Sequence, residues 1–147
     1  MTHSKEEHKA LYLALLASDD DVALFTRGGC GIFARALYEQ FGYPMHYIPG
    51  AGGAGVSHVF CLLKTDQEYA IDVIGTKLAY HRLWDFAGDV CAPPMSIEEL
   101  AAKSCALGQV GFLGDSWFVE PATKRAHARI QRYAPYFDGT KKEVIPA

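Results

Sequence analysis

The chain contains three residues whose types and order suit nucleophilic catalysis by a thiol. Cys30 follows two glycines and opens a segment with helical periodicity, whereas His58 and Asp72 lie in two later, strand-like segments. A thiol attacks a carbonyl group as its thiolate, which requires a base to take the proton and an acid to hold that base in one tautomer. The three residues therefore predict a Cys–His–Asp triad that transfers acyl groups.

The surroundings of Cys30 favour an activated thiol. Apolar residues at steps of three and four predict a helix that begins near Cys30 and ends at Gly42. The N-terminus of a helix presents partial positive charge, which stabilises a thiolate. Because Gly29 and Gly31 flank the cysteine and carry no side chain, a substrate carbonyl can approach backbone amides there. Both glycines are therefore predicted to lie in the oxyanion or substrate loop.

The remaining periodicity predicts the elements that position these residues. A capping box and helical spacing indicate a helix near the N-terminus, and alternation indicates strands after Cys30. A last helix is predicted to have Pro121 at its first position, where a missing amide hydrogen is harmless. In chain order the predicted elements are a helix over 4–18, a helix over 30–42, strands over 45–48, 57–63 and 69–74, a helix over 77–86, a helix over 96–105 and a last helix over 121–134.

His58 and Asp72 can act together only if the two strands of their hairpin pair in a suitable register. A hairpin centred on Thr65 places His58 directly opposite Asp72, and cross-strand partners of this kind lie about 4.5–5.5 Å apart on one face. A centre between Asp66 and Gln67 would place the two side chains on opposite faces. Of these two registers, only the first is compatible with the triad.

Length, charge and composition limit the class of protein. With 147 residues, half of them hydrophobic, the chain is expected to form one domain over residues 1–147 with a buried core. A formal net charge of −3 gives no electrostatic reason to expect nucleic acid or a membrane as a partner. The first residues lack the apolar stretch of a signal peptide, and no run approaches the about 18 apolar residues of a membrane span. A soluble, cytoplasmic protein is expected, with delivery by another secretion route left open.

The cysteines do not form a pattern typical of metal sites or disulfide frameworks. The four of them stand at 30, 61, 91 and 105, without a Cys-x-x-Cys pair and in a chain with no sign of export. Free thiols are therefore expected, and strand alternation places Cys61 in the core. Neither a metal nor a cofactor is predicted. His46, on the strand before His58, is a further candidate for the pocket.

Residues 28–75 resemble the core of transglutaminase-like proteins, which belong to the papain-like cysteine hydrolase superfamily. The matching features are two glycines and Cys30 at the start of a helix, Gly42 and Pro44 after it, Ser57-His58-Val59 on a strand and Asp72-Val73-Ile74-Gly75 on the next. The resemblance implies an α+β, papain-like fold in which the catalytic helix packs on an antiparallel sheet. The implied catalytic core spans residues 26–75.

The resemblance also implies roles for the three residues and a kind of substrate. Cys30 would be the nucleophile, His58 the base and acid that moves the proton, and Asp72 the residue that orients the imidazole. The superfamily contains peptidases, deamidases, transamidases and inactive relatives. The implied function is a cysteine-dependent amide hydrolase or acyl transferase with a protein or peptide substrate. The oligomeric state is left open.

Two features depart from the pattern of this family. Gly31 stands where many relatives have tryptophan, and residues 21–29 contain no glutamine that could donate to an oxyanion. Thr26, or backbone amides alone, would have to stabilise the oxyanion instead. The glycine-rich loop that contains Gly53 directly precedes the strand of His58, which makes it a candidate substrate gate.

Two other functions fit parts of the sequence. Gly50, Gly52 and Gly55 have the spacing of a dinucleotide-binding fingerprint, Asp72 follows about 20 residues later, and residues 57–64 could be its helix. The other alternative is an inactive binding or regulatory module on the same scaffold. Its partner surface would draw on the aromatic residues Trp84, Phe86, Trp117 and Phe118. The basic residues of the last helix are expected to form a solvated face: Lys124, Arg125, Arg129 and Arg132.

Overall fold

The computed structural model describes residues 5–49, 56–86, 99 and 116–146, which form helices packed on one sheet. In chain order the elements are α1 (Lys5–Ala17), α2 (Asp21–Arg27), α3 (Cys30–Phe41), β1 (Met45–Pro49), β2 (Val56–Lys64), β3 (Glu68–Asp72), β4 (Gly75–Leu78), α4 (Ala79–Asp85) and α5 (Ser116–Arg132). The strands pair antiparallel in the order β1-β2-β3-β4, which confirms the predicted α+β class with an antiparallel sheet. No helix within these ranges is long and apolar enough to cross a membrane.

Helix α3 packs on the sheet, and its sequence explains where it starts and stops. Gly29 occupies the N-cap, and Gly42 ends the helix in the left-handed conformation (φ 78°) that glycine adopts without steric penalty. The buried side of α3, which includes Phe33 and Leu37, packs against β2 and α5. The predicted helix is therefore confirmed, and Cys30 is its first residue.

The two faces of the sheet bury different side chains. Val59 and Cys61 belong to the main core with α3 and α5, whereas Phe60 and Leu62 belong to a second cluster with residues of α4. The alternation along β2 confirms the core position predicted for Cys61. By the same period, His58 lies on the side of the strand that carries Phe60 and Leu62.

The register of the β2–β3 hairpin differs from the expected one by a single step. Lys64 pairs with Glu68, so the turn is centred on Asp66, one residue later than the expected centre at Thr65. The prediction that His58 lies directly opposite Asp72 is therefore wrong, and the two are diagonal neighbours. Moving the centre by one residue shifts the pairing by two positions, and so both side chains stay on one face.

Helix α2 and strand β4 are absent from the sequence-based prediction. Helix α2 begins after Asp20, whose carboxylate accepts a hydrogen bond of 3.0 Å from the amide of Ala23. This is the capping interaction that starts many short helices. The predicted helix over 77–86 is too long at its start, because residues 77–78 belong to β4 and pair with β3. The helix begins at Ala79.

Helix α5 begins earlier than predicted, and Pro121 lies inside it rather than at its first position. A proline in a helix removes one backbone hydrogen bond and strains the preceding turn. Burial of a stripe with four-residue spacing stabilises the helix despite this loss. The stripe consists of Phe118, Ala122, Ala126 and Ile130, all fully buried.

The expectation that the basic residues of α5 form one solvated face is wrong for two of them. Both guanidinium groups of Arg125 and Arg129 form ion pairs with Asp21 of α2. Arg129 Nε also donates a hydrogen bond of 2.8 Å to the carbonyl of Val73, the residue after β3. These contacts tie α5 to α2 and to the β3–β4 turn, next to Asp72.

The structure removes the basis of the dinucleotide-binding alternative. That fingerprint requires a helix directly after its glycines and a parallel strand beyond it. Residues 56–64 instead form strand β2, which pairs antiparallel with both β1 and β3. The glycine-rich loop itself, including Gly53 and its suggested gating role, lies outside the described residues, as does the predicted helix over 96–105 apart from Glu99.

Candidate active site

The structure brings Cys30, His58 and Asp72 together near the start of α3 and the end of β3. Each comes from a different element: the first residue of α3, the third residue of β2 and the last residue of β3. His58 has no exposed surface and Asp72 is buried, whereas Cys30 is only partly buried. Cys30 is therefore the most accessible of the three residues, while the other two are shielded from water.

The imidazole of His58 is held in one orientation. Its Nε2 atom lies 2.6 Å from Oδ2 of Asp72. Phe86 stacks on the ring with a centroid distance of 4.1 Å and an angle of 10° between planes. Because an ionised carboxylate only accepts hydrogen bonds, Nε2 carries the proton, and Nδ1 is the atom that can exchange one with another group.

The carboxylate of Asp72 is engaged through both oxygens. Oδ2 accepts a second hydrogen bond, of 2.7 Å, from Nε of Arg82, and Oδ1 accepts one of 3.2 Å from the amide of Ile74. Burial raises the pKa of this carboxyl, but hydrogen bonds and charge attraction from His58 and Arg82 hold it below its usual value of 3.8. Asp72 is therefore ionised at neutral pH.

The thiol of Cys30 and the imidazole of His58 shift each other's pKa. Burial raises the pKa of the thiol, but the neighbouring imidazole of His58, with smaller contributions from the backbone, brings it below its usual 9.0. Burial lowers the pKa of His58, whereas Asp72 and Cys30 together raise it to about 9. Both directions favour a thiolate–imidazolium pair at neutral pH.

Nδ1 is the nitrogen of His58 that remains for an interaction with the thiol. Nδ1 of His58 is buried and makes no hydrogen bond of standard geometry within the described part of the chain. Cys30 and Asp72 are nevertheless the two ionisable groups that raise the pKa of His58. Hydrogen bonds between catalytic groups are often long or poorly aligned before substrate binds.

The β2–β3 ladder ends before Val59, the residue of β2 whose backbone acts on the thiol of Cys30. The paired residues run from Lys64 to Cys61 on β2 and stop there. Two residues further on, the backbone of Val59 lowers the pKa of the Cys30 thiol, as does the backbone of Gly31 on α3. Donation from a backbone amide stabilises a thiolate more than a thiol.

The residues predicted to form an oxyanion site have different surroundings. The hydroxyl of Thr26 donates a hydrogen bond of 2.6 Å to Val22 within α2. The amide of Gly29 donates one of 2.8 Å to the carbonyl of Leu24. Both donors are thus engaged within the α2 segment. Gly31 is buried in the first turn of α3, and its backbone lowers the pKa of the Cys30 thiol.

The first turn of α3 has other amides for this purpose. The hydrogen bond from the amide of Phe33 to the carbonyl of Gly29 (3.0 Å) is the first of the helix. The amides that precede it therefore lack helical acceptors. Among them is the amide of Cys30 itself, which is covalently next to the nucleophile. A substrate oxygen bound beside the sulfur would lie near this amide, which makes it a candidate oxyanion donor.

Two residues of the site were missed as such. Arg82 has no motif around it, and Phe86 was considered only for a partner surface. Arg82 lies in the last turn of α4, a helix of seven residues that packs on β3 and β4, and Phe86 directly follows that helix. Only this packing brings them to Asp72 and His58. The sole sequence signal is that they follow Asp72 closely in the chain.

The other candidates lie in structural positions. Cys61 is fully buried, donates a hydrogen bond of 3.2 Å to the carbonyl of Ala34, and has its pKa raised by burial. His46 is buried and stacks on Phe60 at 6.1 Å. Of the aromatic residues, Phe118 is in the core and Trp84 is 64% exposed. Within the described ranges, no group of three or more His, Cys, Asp or Glu side chains could hold a metal ion.

Comparison with known proteins adds no relative. No protein-family model matches the chain, and neither a curated protein nor a solved structure matches it. A proposal of function therefore rests on the arrangement of Cys30, His58 and Asp72.

Proposed function

We propose that this protein is a cysteine-dependent amide hydrolase or acyl transferase that works through Cys30, His58 and Asp72. The supporting observation is a thiol at a helix N-terminus, coupled to an imidazole whose Nε2 binds a buried carboxylate at 2.6 Å. A helix that carries the nucleophile and packs on an antiparallel sheet agrees with the resemblance to transglutaminase-like proteins. We therefore propose a single domain of papain-like architecture.

Acylation would use the thiolate–imidazolium pair directly. The sulfur of Cys30 forms a bond to the carbonyl carbon of an amide, and the π electrons of that carbonyl move onto its oxygen. The amide of Cys30 donates a hydrogen bond to the resulting oxyanion. The C–N bond then breaks as His58 transfers its Nδ1 proton to the departing amine, which leaves a thioester.

Deacylation would return the site to its starting state. His58, now neutral, takes a proton from water or from an amine as either attacks the thioester carbon. The C–S bond breaks and Cys30 leaves as the thiolate, paired again with the imidazolium. Water as acceptor yields a carboxylic acid, as in a peptidase or deamidase, and an amine yields a new amide. Asp72 keeps Nε2 protonated throughout.

The covalent step can be tested without knowing the natural substrate. With excess p-nitrophenyl acetate, the protein is expected to release a burst of about one p-nitrophenol per chain and to gain one acetyl group on Cys30. The Cys30→Ser variant should show no burst, because a serine hydroxyl in this site is not ionised. Cys61→Ser, which removes a buried thiol that bonds to Ala34, is the matched control and should retain it. A missing burst, or acetylation elsewhere, would favour the inactive binding module.

The pH dependence of amide cleavage provides a second prediction. The rate with a chromogenic peptide amide is expected to rise with pH as the thiolate forms. It should fall again near pH 9, where His58 loses the proton that the amine needs. With the activated ester the alkaline decrease should be absent, since p-nitrophenolate leaves without a proton. An alkaline decrease that is equal for both substrates would contradict the role of His58 as the acid.

A further inference from the structure

We propose that Arg82 is a positioning residue for this site: its guanidinium fixes the carboxylate of Asp72 and, through it, the imidazole of His58. The inference rests on the proposed function and adds a fourth side chain to it. Arg82 is 7% exposed and lies on α4, away from Cys30 in the sequence. Arg82 binds Asp72, and Asp72 in turn orients His58.

The hydrogen bonds on Asp72 carry the inference. Nε of Arg82 and Nε2 of His58 bind the same oxygen, Oδ2, at 2.7 and 2.6 Å. The amide of Ile74 binds Oδ1 at 3.2 Å. With donors on both oxygens, the carboxylate cannot rotate away from the imidazole. Two donors that share one oxygen also divide its negative charge, so each affects how strongly the other is bound.

Arg82 is itself held by two further contacts. Its Nη1 donates a hydrogen bond of 3.0 Å to Oδ2 of Asp85. Its guanidinium lies 4.8 Å from the ring centroid of Phe86, and that ring stacks on His58. Arg82 therefore contacts two side chains that themselves contact the imidazole of His58, namely Asp72 and Phe86.

Stability alone does not explain an arginine at this position. Nη2 of Arg82 is buried and has no hydrogen-bond partner within the described structure. A buried donor without a partner destabilises the folded state, and an apolar residue of similar size would avoid that penalty. The contacts that Arg82 does make are directed at Asp72, Asp85 and Phe86 rather than at the hydrophobic core.

The positive charge of Arg82 should also influence proton exchange between His58 and Cys30. By binding Oδ2 of Asp72, the guanidinium keeps the imidazole in the orientation in which His58 lowers the pKa of the Cys30 thiol. Other charged or titratable groups face this cluster from each neighbouring element, and their contributions must be separated from that of Arg82. They are Cys30 on α3, His46 on β1, Cys61 on β2, Lys77 on β4, Asp85 on α4 and Arg129 on α5.

The test compares Arg82→Gln, Arg82→Lys and Lys77→Gln by the pH profile of Cys30 alkylation with iodoacetamide. Arg82→Gln is expected to shift the profile upward by about one pH unit, which is a net loss of roughly threefold in rate on the rising limb because the thiolate that remains is more nucleophilic. Arg82→Lys should restore most of this shift, because it retains the charge. Lys77→Gln is the matched control: Lys77 binds Asp85 at 2.9 Å but makes no contact with Asp72, and its profile should stay at the wild-type position.

A merely structural role for Arg82 predicts a different result. All three profiles would then coincide with that of the wild type, whatever the changes in thermal midpoint, and the inference would be overturned. Equal shifts in Arg82→Gln and Lys77→Gln would also overturn it. If the wild-type thiol instead reacts like a free cysteine, the proposed function fails before the variants are compared. The two failures are thus distinguishable.

A measurement on the wild-type protein covers the case in which Arg82→Gln does not fold. The ¹⁵N resonance of Arg82 Nε should move as His58 titrates near pH 9, because both nitrogens bind Oδ2 of Asp72. The resonance of Arg129 Nε, which binds a backbone carbonyl, serves as the reference. An Arg82 signal that does not move through this range would overturn the inference.

Discussion

Replacing His58 with alanine is expected to lower the rate of Cys30 alkylation at pH 6 by about tenfold and to move its rising limb toward pH 8.5, the pKa of a free thiol. His58 supplies the largest of the interactions that lower the pKa of this thiol. Each unit of lowering increases the thiolate fraction tenfold at acidic pH but decreases its intrinsic reactivity about threefold. The net effect is therefore smaller than the change in thiolate population.

The experiment contains its own controls. Peptide mass spectrometry follows Cys61 in the same sample, and this thiol should stay unreactive in both proteins because burial raises its pKa. His46→Ala removes another buried histidine, one that stacks on Phe60. Because its ring packs on Phe60 and not on the ring of His58, this variant should keep the wild-type profile. A His58→Ala profile that superimposes on the wild type would show that helix α3 alone activates Cys30.

Local signals in the sequence were sufficient for the parts of the site that depend on single elements. Gly42 marks the end of α3, so the position of Cys30 at the other end followed from the length of one helix. Alternation along β2 separated Cys61 from His58 without knowledge of the neighbouring strands. Each of these inferences needs only the periodicity of a helix or a strand.

Features that depend on how elements meet were not predictable in the same way. The hairpin centre was misplaced by one residue, because turn length rather than strand pattern sets the register. β4 was taken as the start of a helix, since its four residues reveal no period. Arg82 and Phe86 reach the site only because α4 packs back onto β3 and β4. Pro121 misled the start of α5 because burial of Phe118 outweighs a local preference.

Asp72 is the residue whose replacement should affect stability most. Asp72→Ala would leave the buried guanidinium of Arg82 with Asp85 as its remaining carboxylate and His58 without its acceptor. Removing one member of a buried charged group destabilises a protein by about 3–5 kcal/mol. Asp85→Asn is the matched control on the same guanidinium. Because the Asp85 side chain is 35% exposed, its loss should change the free energy of unfolding by about 1 kcal/mol or less.

The pH dependence of this loss separates the charge of Asp72 from its shape. Asp72→Asn keeps the shape of the side chain but removes its charge. Its loss of unfolding free energy relative to the wild type should therefore vary with pH as Asp72 and His58 titrate in the native state. The lowered pKa of Asp72 stabilises the native state above pH 3.8, and this contribution disappears as the pH falls through the folded value. The raised pKa of His58 stabilises it below pH 6.5, and this contribution disappears as the pH rises through about 9. Urea unfolding at pH 3, 6 and 10 should therefore give the largest difference between wild type and Asp72→Asn at pH 6. An equal difference at all three values would mean that Asp72 acts through packing, and that the imidazolium is not held by its charge.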